Sequence, residues 1–96
     1  MKVIVAPRAL DDLREIQAWI AYDNVSAASR VASRIRSAIA MMQYHPRLGH
    51  VYEEGPERRL VVPGYPYCIY YDLDEDANGI SVITVQHTHR VPPHFG

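Results

Sequence analysis

Two apolar stretches in the C-terminal third of the chain show the clearest hydrophobic pattern. Residues 67–73 and 80–86 are rich in β-branched and aromatic side chains, and an acidic segment ending in Asn78-Gly79 separates them. Because Asn and Gly tolerate the positive φ that tight chain reversals require, the pattern predicts a β-hairpin. In its first strand, alternate residues share a face, which groups Tyr67, Ile69, Tyr71 and Leu73 against Cys68, Tyr70 and Asp72. Both groups are apolar in the middle, so this strand is predicted to lie inside a sheet.

The second strand of the hairpin becomes polar only at its C-terminal end. If the strand stays extended, alternation puts one set of side chains on one face and a second set on the other: Ile83, Val85, His87 and His89 against Val82, Thr84, Gln86 and Arg90. A strand that is apolar along its length and ends in His87, His89 and Arg90 presents these three side chains at a rim of the sheet.

The N-terminal part of the chain has the spacing of one short strand and two helices. Residues 3–6 form an apolar run of β type, and Pro7 fits the first position of a helix, where its missing N–H costs nothing. Apolar residues then recur at helical spacing until about Tyr22. The pattern stops there, and either Asn24 or Ser26 is suited to cap a second helix.

The second helix and the segments after it complete the predicted fold. The apolar stripe of this helix consists of Val31, Ile35, Ala38, Ile39 and Met42. His45-Pro46 ends the helix, because the residue before a proline is pushed out of the α region. A loop over residues 47–57 and a short strand over residues 60–62 then lead to the hairpin. The order β-α-α-β-β-β predicts an α+β fold, in which a helical hairpin packs on a small, mainly antiparallel sheet.

Length and composition restrict what the chain is able to do. Its 96 residues are 48% hydrophobic and 22% charged, which predicts one globular domain over residues 1–96 with a short tail over residues 91–96. The formal net charge of -1 excludes a global attraction to nucleic acid, so any such contact is local. A single cysteine, Cys68, excludes an intrachain disulfide. No apolar run approaches the ~20 residues that span a bilayer, so the expected location is the cytoplasm.

In this order, the residues resemble the RelE/ParE superfamily of bacterial toxins, the toxin halves of type II toxin-antitoxin pairs. The resemblance extends over nearly the whole chain and is carried by Pro7-Arg8-Ala9 with Asp12-Leu13 and Ile16, residues 27–35, His45-Pro46-Arg47-Leu48-Gly49, Arg59-Leu60-Val61-Val62, Tyr65-Pro66-Tyr67 with Ile69-Tyr70-Tyr71, and Val85, His87 and Arg90. It implies the strand, helix, helix, three-strand fold, growth inhibition by the free toxin, and a cytoplasmic antitoxin that wraps over the toxin as partner.

The superfamily contains two kinds of activity. Its RelE-like branch resembles a ribosome-dependent ribonuclease that cuts mRNA, whereas its ParE-like branch is known for blocking DNA gyrase without cleaving RNA. Residues 46–49 and 65–71, with His87 and Arg90, are more similar to ParE, and this resemblance implies a gyrase inhibitor rather than an enzyme. A ribosome-dependent mRNA endoribonuclease is the alternative, and a non-toxic module that only binds its antitoxin is a second alternative.

The candidate site residues differ between these functions. For RNA cleavage without a metal, His87, His89 and Arg90 are the candidate catalytic residues. Either histidine is able to exchange protons near neutral pH, and Arg58, Arg59 and Arg90 are able to hold phosphate. For binding an antitoxin or a cellular target, Arg58, Arg59 and Arg90 are predicted to form a cationic rim that meets carboxylates. The chain has no lysine after Lys2, whereas the RelE branch typically carries several Lys and Arg on its sheet face, so the binding function is favoured.

Two further groups of polar residues have simple structural interpretations. His87 and His89 lack a third ligand close in sequence, so neither a metal site nor a cofactor is predicted. Arg30 and Arg34 lie off the apolar stripe of the second helix and Arg36 flanks it. A solvated helix surface is favoured there over a phosphate-binding ridge, because Arg is a good helix former at exposed positions.

Overall fold

The computed structural model of the protein describes residues 1–53, 55–93 and 95. A strand and two helices come first and four strands follow: β1 (Lys2–Val5), α1 (Pro7–Asp23), α2 (Val25–Met42), β2 (His50–Val51), β3 (Glu57–Val61), β4 (Tyr67–Asp74) and β5 (Gly79–His87). The predicted α+β class is confirmed. The two-residue β2 lies within the segment predicted as a loop, because a strand this short has no alternation that a sequence pattern can reveal.

The sheet has the strand order β1-β5-β4-β3-β2. β1 and β5 run parallel, and the other neighbouring strands are antiparallel, as predicted for a mainly antiparallel sheet. A parallel pair needs a crossover connection, and the two helices belong to the chain that connects β1 with β5. Buried side chains of α2 and of one sheet face form a single cluster, so the helical hairpin covers that face.

A single residue separates the two helices. The Asn24 backbone N–H donates to the carbonyl of Ile20 at 2.9 Å, which ends α1, and the Asn24 side chain accepts the N–H of Ala27 at 2.9 Å, which begins α2. Asn24 is therefore the cap, and the Ser26 hydroxyl instead accepts a hydrogen bond of 2.8 Å from Arg30. Pro7 occupies the start of α1 as predicted.

The core lies between the helices and the covered face of the sheet. Its fully buried members include Ile35, Met42, Ile69, Tyr71, Ile80, Val82 and Val85. Ile39 is also buried, whereas Leu13 and Ile16 of α1 are only half-buried against the cluster. The predicted stripe of α2 is thus the principal helical contribution to the core, and α1 covers its margin.

A β-bulge changes the faces of β5. Tyr70 pairs with Thr84 but Tyr71 pairs with Val82, so Ile83 has no counterpart in β4. Val82 and Val85 consequently both belong to the core cluster, although strict alternation puts them on opposite faces. The predicted alternation therefore fails at the bulge, between Val82 and Thr84. From Thr84 to His87 it is confirmed, because Val85 and His87 share one face and Thr84 and Gln86 share the other. β5 also ends at His87, which leaves His89 and Arg90 in the segment after the strand.

The C-terminal tail contacts the face of the sheet that carries no helix. The Tyr52 hydroxyl donates to the Pro93 carbonyl at 2.6 Å, and the Phe95 ring lies 5.8 Å from those of Tyr52 and Tyr70, measured between centroids. His94 and Gly96, which belong to the predicted tail, lie outside the described residues. Among the described residues, neither helix is long and apolar enough to cross a membrane.

Candidate functional site

The three arginines predicted to form one cationic rim occupy three different environments. Arg58 and Arg59 are consecutive in β3, so their side chains leave opposite faces of the sheet. Arg58 pairs with Tyr71 of β4, whereas Arg90 follows β5 beyond His87, the residue that pairs with Tyr67. Along the strands, Arg58 and His87 are therefore separated by the distance from Tyr71 to Tyr67, about 13 Å at ~3.3 Å per residue. β4 also lies between them, and Arg90 follows beyond His87.

Arg58 holds a loop of its own chain. Its guanidinium donates to the Gly49 carbonyl at 2.8 Å. The Tyr71 hydroxyl completes the same contact, because it donates to the Pro46 carbonyl at 2.8 Å and accepts the Gly49 N–H at 2.8 Å. Burial raises the pKa of Tyr71, although the Gly49 N–H and Arg58 act in the opposite direction, so the phenol stays protonated and able to donate.

Position 49 of this loop requires glycine, because the surrounding atoms leave no space for a side chain. A Cβ atom at this position would lie 2.8 Å from Cε1 and the hydroxyl of Tyr71 and 3.0 Å from the Arg59 carbonyl. Residues 46–49, which contributed to the family resemblance, therefore bind the sheet through Tyr71 and Arg58. The backbone contacts of Pro46 and Gly49 are therefore structural.

Arg59 lies on the helix-free face among aromatic rings. Its Nε donates to the Tyr70 hydroxyl at 3.2 Å, and its guanidinium carbon lies 6.0 Å from the centroid of the Tyr70 ring, within the range of a cation–π contact. Tyr70 is almost fully buried and packs edge-on against Tyr52 at 5.1 Å between centroids. Burial raises the pKa of Tyr70, although Arg59 acts in the opposite direction.

His87 and Arg90 line a groove between α1 and the end of β5. β1 ends at Val5, which pairs with Val82, so beyond Val82 the outer edge of β5 faces α1. Asp12 of α1 binds that edge by accepting the Thr84 hydroxyl at 2.5 Å and the Val85 N–H at 3.1 Å. The groove has a volume of about 250 Å³, and its walls include Glu15 and Trp19.

His87, which lines this groove, contacts the second predicted histidine, His89. Their rings lie 4.9 Å apart between centroids, and the backbone N–H of His89 donates to His87 Nδ1 at 3.1 Å. The His87 ring also packs edge-on against Tyr67 at 5.5 Å. The fold thus brings His87, His89 and Arg90 together but places Asp12 and Glu15 in the same groove, where their charges oppose an RNA phosphate.

The described residues contain no group of three or more His, Cys, Asp or Glu side chains arranged to hold a metal ion. Chemically, the groove between α1 and the end of β5 offers one imidazole, one guanidinium and an apolar wall. The arginines Arg58 and Arg59, which a phosphodiester-cleaving site would need nearby, lie on β3 and contact Gly49 and Tyr70 instead.

Two features of the surface were not assigned to a site from the sequence. Trp19 is 80% exposed on α1 beside the groove, and the arginines of α2, interpreted above as a solvated helix surface, adjoin a second groove. The exposed face of α2 carries Arg30 and Arg34, and Leu48 and Leu60 help to form this second groove, which is apolar. The available signal for the second feature was that residues 25–42 include three arginines and no acidic residue.

Comparison with known proteins defines the class. The fold is the one shared by ParE and RelE toxins: a chain from the chromosomal ParDE toxin-antitoxin system of P. aeruginosa superposes with a TM-score of 0.79 at 15% identity, covering 93% of this chain and 97% of that one. The isolated E. coli RelE toxin superposes with a TM-score of 0.70 at 15% identity, covering 94% and 86%.

Sequence comparison is more specific. Residues 3–92 match the family described as the ParE toxin of the type II toxin-antitoxin system parDE. Over 86 residues, the chain is 36% identical to the candidate toxin Y4kP of Sinorhizobium fredii (strain NBRC 101917 / NGR234), covering 90% of this chain and 86% of that protein. The protein belongs to the ParE family of toxins of type II toxin-antitoxin systems.

Proposed function

We propose that this chain inhibits bacterial growth by blocking DNA gyrase, and that an antitoxin encoded beside it binds and neutralises it. The observation that carries the proposal is the match of residues 3–92 to the ParE family, because gyrase inhibition is the activity for which the ParE-like branch is known. The geometry gives independent support. A metal-free ribonuclease needs a base, an acid and several phosphate-binding cations around one position.

In this chain those groups are distributed differently. His87 and Arg90 share their groove with the carboxylates of Asp12 and Glu15, and Arg58 and Arg59 are engaged by Gly49 and Tyr70. Such a distribution favours binding over phosphodiester cleavage, and it supports a toxin that inhibits gyrase without being an enzyme.

The direct test is to express the chain alone in bacteria, and then to assay the purified protein for both activities. We expect growth arrest, inhibition of supercoiling by purified gyrase, and intact transcripts on translating ribosomes. Unchanged supercoiling together with cleaved, ribosome-bound mRNA would replace the proposal by the ribonuclease alternative. Normal growth, with retained binding to the antitoxin, would instead identify a non-toxic binding module.

The ribonuclease alternative is favoured by one specific observation, the contact of His87 with His89 beside Arg90. A variant with His87→Gln and His89→Gln separates the two functions, because Gln keeps hydrogen-bonding capacity but does not exchange protons. Growth inhibition by this variant equal to that of the unaltered chain is expected for a gyrase inhibitor. Loss of toxicity in a folded variant would favour the ribonuclease.

A further inference from the structure

The exposed face of α2 forms a positively charged ridge. We name as the α2 ridge the five neighbouring side chains that line a shallow depression with Tyr65: Ser29, Arg30, Ser33, Arg34 and Ser37. All five are exposed. α2 contains three arginines and no acidic residue, whereas the whole chain has a formal net charge of -1. The ridge is thus a local concentration of positive charge on a slightly acidic protein.

An apolar groove continues directly from the ridge. We name as the α2–β3 groove the apolar residues that line a cavity of about 270 Å³: Ala38, Met41, Leu48, Leu60 and Pro63. Arg34 and Ser37 line the ridge and the groove alike, so the two surfaces are continuous. The groove is formed by α2, the loop before β2 and the end of β3.

The groove exposes large apolar side chains at one place. Met41 is 45% and Leu48 is 47% exposed, and neither belongs to the core cluster. Single exposed apolar residues are ordinary on protein surfaces, but several around one concavity, next to charged residues, mark a place where a partner binds. The combination of aliphatic groove and cationic ridge also describes the partner's chemistry, because each half selects a different kind of side chain.

We propose that the α2 ridge and the α2–β3 groove together bind an acidic protein segment that carries aliphatic side chains. The aliphatic side chains enter the groove beside Met41 and Leu48, and carboxylates of the segment bind Arg30 and Arg34. The inference rests on the proposed function in one respect, since the segment is assigned to the antitoxin. It places the antitoxin on α2 rather than on the arginines of β3.

Two comparisons favour an antitoxin bound on α2: one with the arginines of β3 as its binding site, and one with nucleic acid as the partner. The guanidiniums of Arg58 and Arg59 already donate to Gly49 and Tyr70, so carboxylates that bind them compete with contacts of the folded chain. The exposed Arg30 donates to the Ser26 hydroxyl, a bond that a carboxylate replaces at little cost. Nucleic acid would use the arginines but gains nothing from an aliphatic groove, because phosphates and sugars are polar.

The test measures binding kinetics of three variants of the full chain against the purified product of the adjacent gene. The ridge variant is Arg30→Glu with Arg34→Glu, the groove variant is Met41→Asn with Leu48→Asn, and the matched control is Arg8→Glu with Arg14→Glu. Arg8 and Arg14 are exposed on α1, so the control changes the net charge as the ridge variant does. Circular dichroism and thermal unfolding confirm that each variant is folded.

We expect the ridge variant to lose about tenfold in association rate at low salt, with the loss shrinking as salt screens the charges. The groove variant is expected to dissociate about tenfold faster, with a nearly unchanged association rate. The control is expected to stay within about twofold of the unaltered chain in both rates, because a weak long-range effect is all that its charges exert.

Three results would overturn the inference, and they differ from one another. If the unaltered chain binds the antitoxin and the folded ridge and groove variants bind equally well, the surface is wrong while the proposed function stands. If the unaltered chain does not bind the antitoxin, the antitoxin partner of the proposed function and this surface fall together. If the ridge variant loses binding to a duplex or single-stranded oligonucleotide but keeps the antitoxin, the ridge binds nucleic acid instead.

Discussion

Arg58 of β3 and Arg34 of α2 are both arginines on regular secondary structure, yet the molecule surrounds them differently. Arg58 is half-buried and donates to the Gly49 carbonyl, next to the contacts that Tyr71 makes with the same loop. Arg34 is exposed and lines both the α2 ridge and the α2–β3 groove. A half-buried guanidinium that donates to a carbonyl of its own chain contributes to stability, whereas an exposed one beside apolar surface is available to a partner.

The same contrast holds between the two faces of α2. Its inner face contributes Val31, Ile35, Ile39 and Met42 to the core, and its outer face forms the ridge. Amphipathic helices usually leave their polar face to water. In this helix the polar face carries only one sign of charge and adjoins a groove, and this difference distinguishes a binding surface from an ordinary solvated one.

The largest expected effect comes from the inner face of α2. Ile35 is fully buried, so Ile35→Ala removes packing from the centre of the core and is expected to lower the free energy of unfolding by about 2–5 kcal/mol. For a small domain with a total stability of about 5–15 kcal/mol, much of the folded protein would be lost. Denaturant unfolding measures the change, with Ala40→Ser on the exposed face as control. An unchanged midpoint for Ile35→Ala would show that this helix face is not the core.

A smaller loss is expected when the loop before β2 loses its hydroxyl partner. Tyr71→Phe keeps the buried ring but leaves the Gly49 N–H and the Pro46 carbonyl without this partner. We expect a loss of about 1–3 kcal/mol in the free energy of unfolding, the usual effect of an unsatisfied buried polar group. Tyr44→Phe, at an exposed tyrosine, is the matched control. Equal stability of both variants would contradict the structural role given to residues 46–49.

Arg58→Ala removes one charged donor from the same loop. The expected loss is about 1–2 kcal/mol, toward the lower end for a hydrogen bond to a charged group, because Arg58 is only half-buried and water replaces part of the contact. Thermal unfolding detects it, since 1 kcal/mol shifts Tm by about 4–8 °C in a domain of this size. A Tm equal to that of the unaltered chain would make Arg58 available as a binding residue, as the sequence interpretation had it.

Arg34→Ala is the smallest expected change in stability. An exposed substitution on a helix, to the residue with the best helix propensity, is expected to alter the free energy of unfolding by no more than about 0.5 kcal/mol. The same thermal measurement checks this value. A loss as large as that of Arg58→Ala would mean that Arg34 makes contacts that stabilise the fold.

Sequence reasoning succeeded where structure is decided by local patterns. The hairpin over residues 67–87, the two helices and the α+β class all follow from spacing and turn residues, and capping chemistry reduced the helix cap to Asn24 or Ser26, of which the structure shows Asn24. Such features involve residues close in sequence, so local sequence patterns are enough to predict them.

The features that escaped sequence reasoning depend on residues far apart in the chain. The bulge interrupts the alternation of β5 because Ile83 is an extra residue with no counterpart in β4, which only the pairing of the two strands reveals. One cationic rim was predicted from Arg58, Arg59 and Arg90, because the register between β3, β4 and β5 cannot be determined from the sequence. The α2–β3 groove needs Met41, Leu48 and Leu60 to meet, and no local pattern predicts that meeting.

We infer that the arginines of β3 stabilise the fold, whereas those of α2 bind the antitoxin. The decisive measurement is the association rate with the adjacent gene's product for Arg58→Ala and Arg34→Ala, compared at low salt. We expect Arg34→Ala to associate several-fold more slowly, and Arg58→Ala, at a temperature where it is fully folded, to associate at the rate of the unaltered chain. A slower rate for Arg58→Ala with an unchanged rate for Arg34→Ala would contradict this inference.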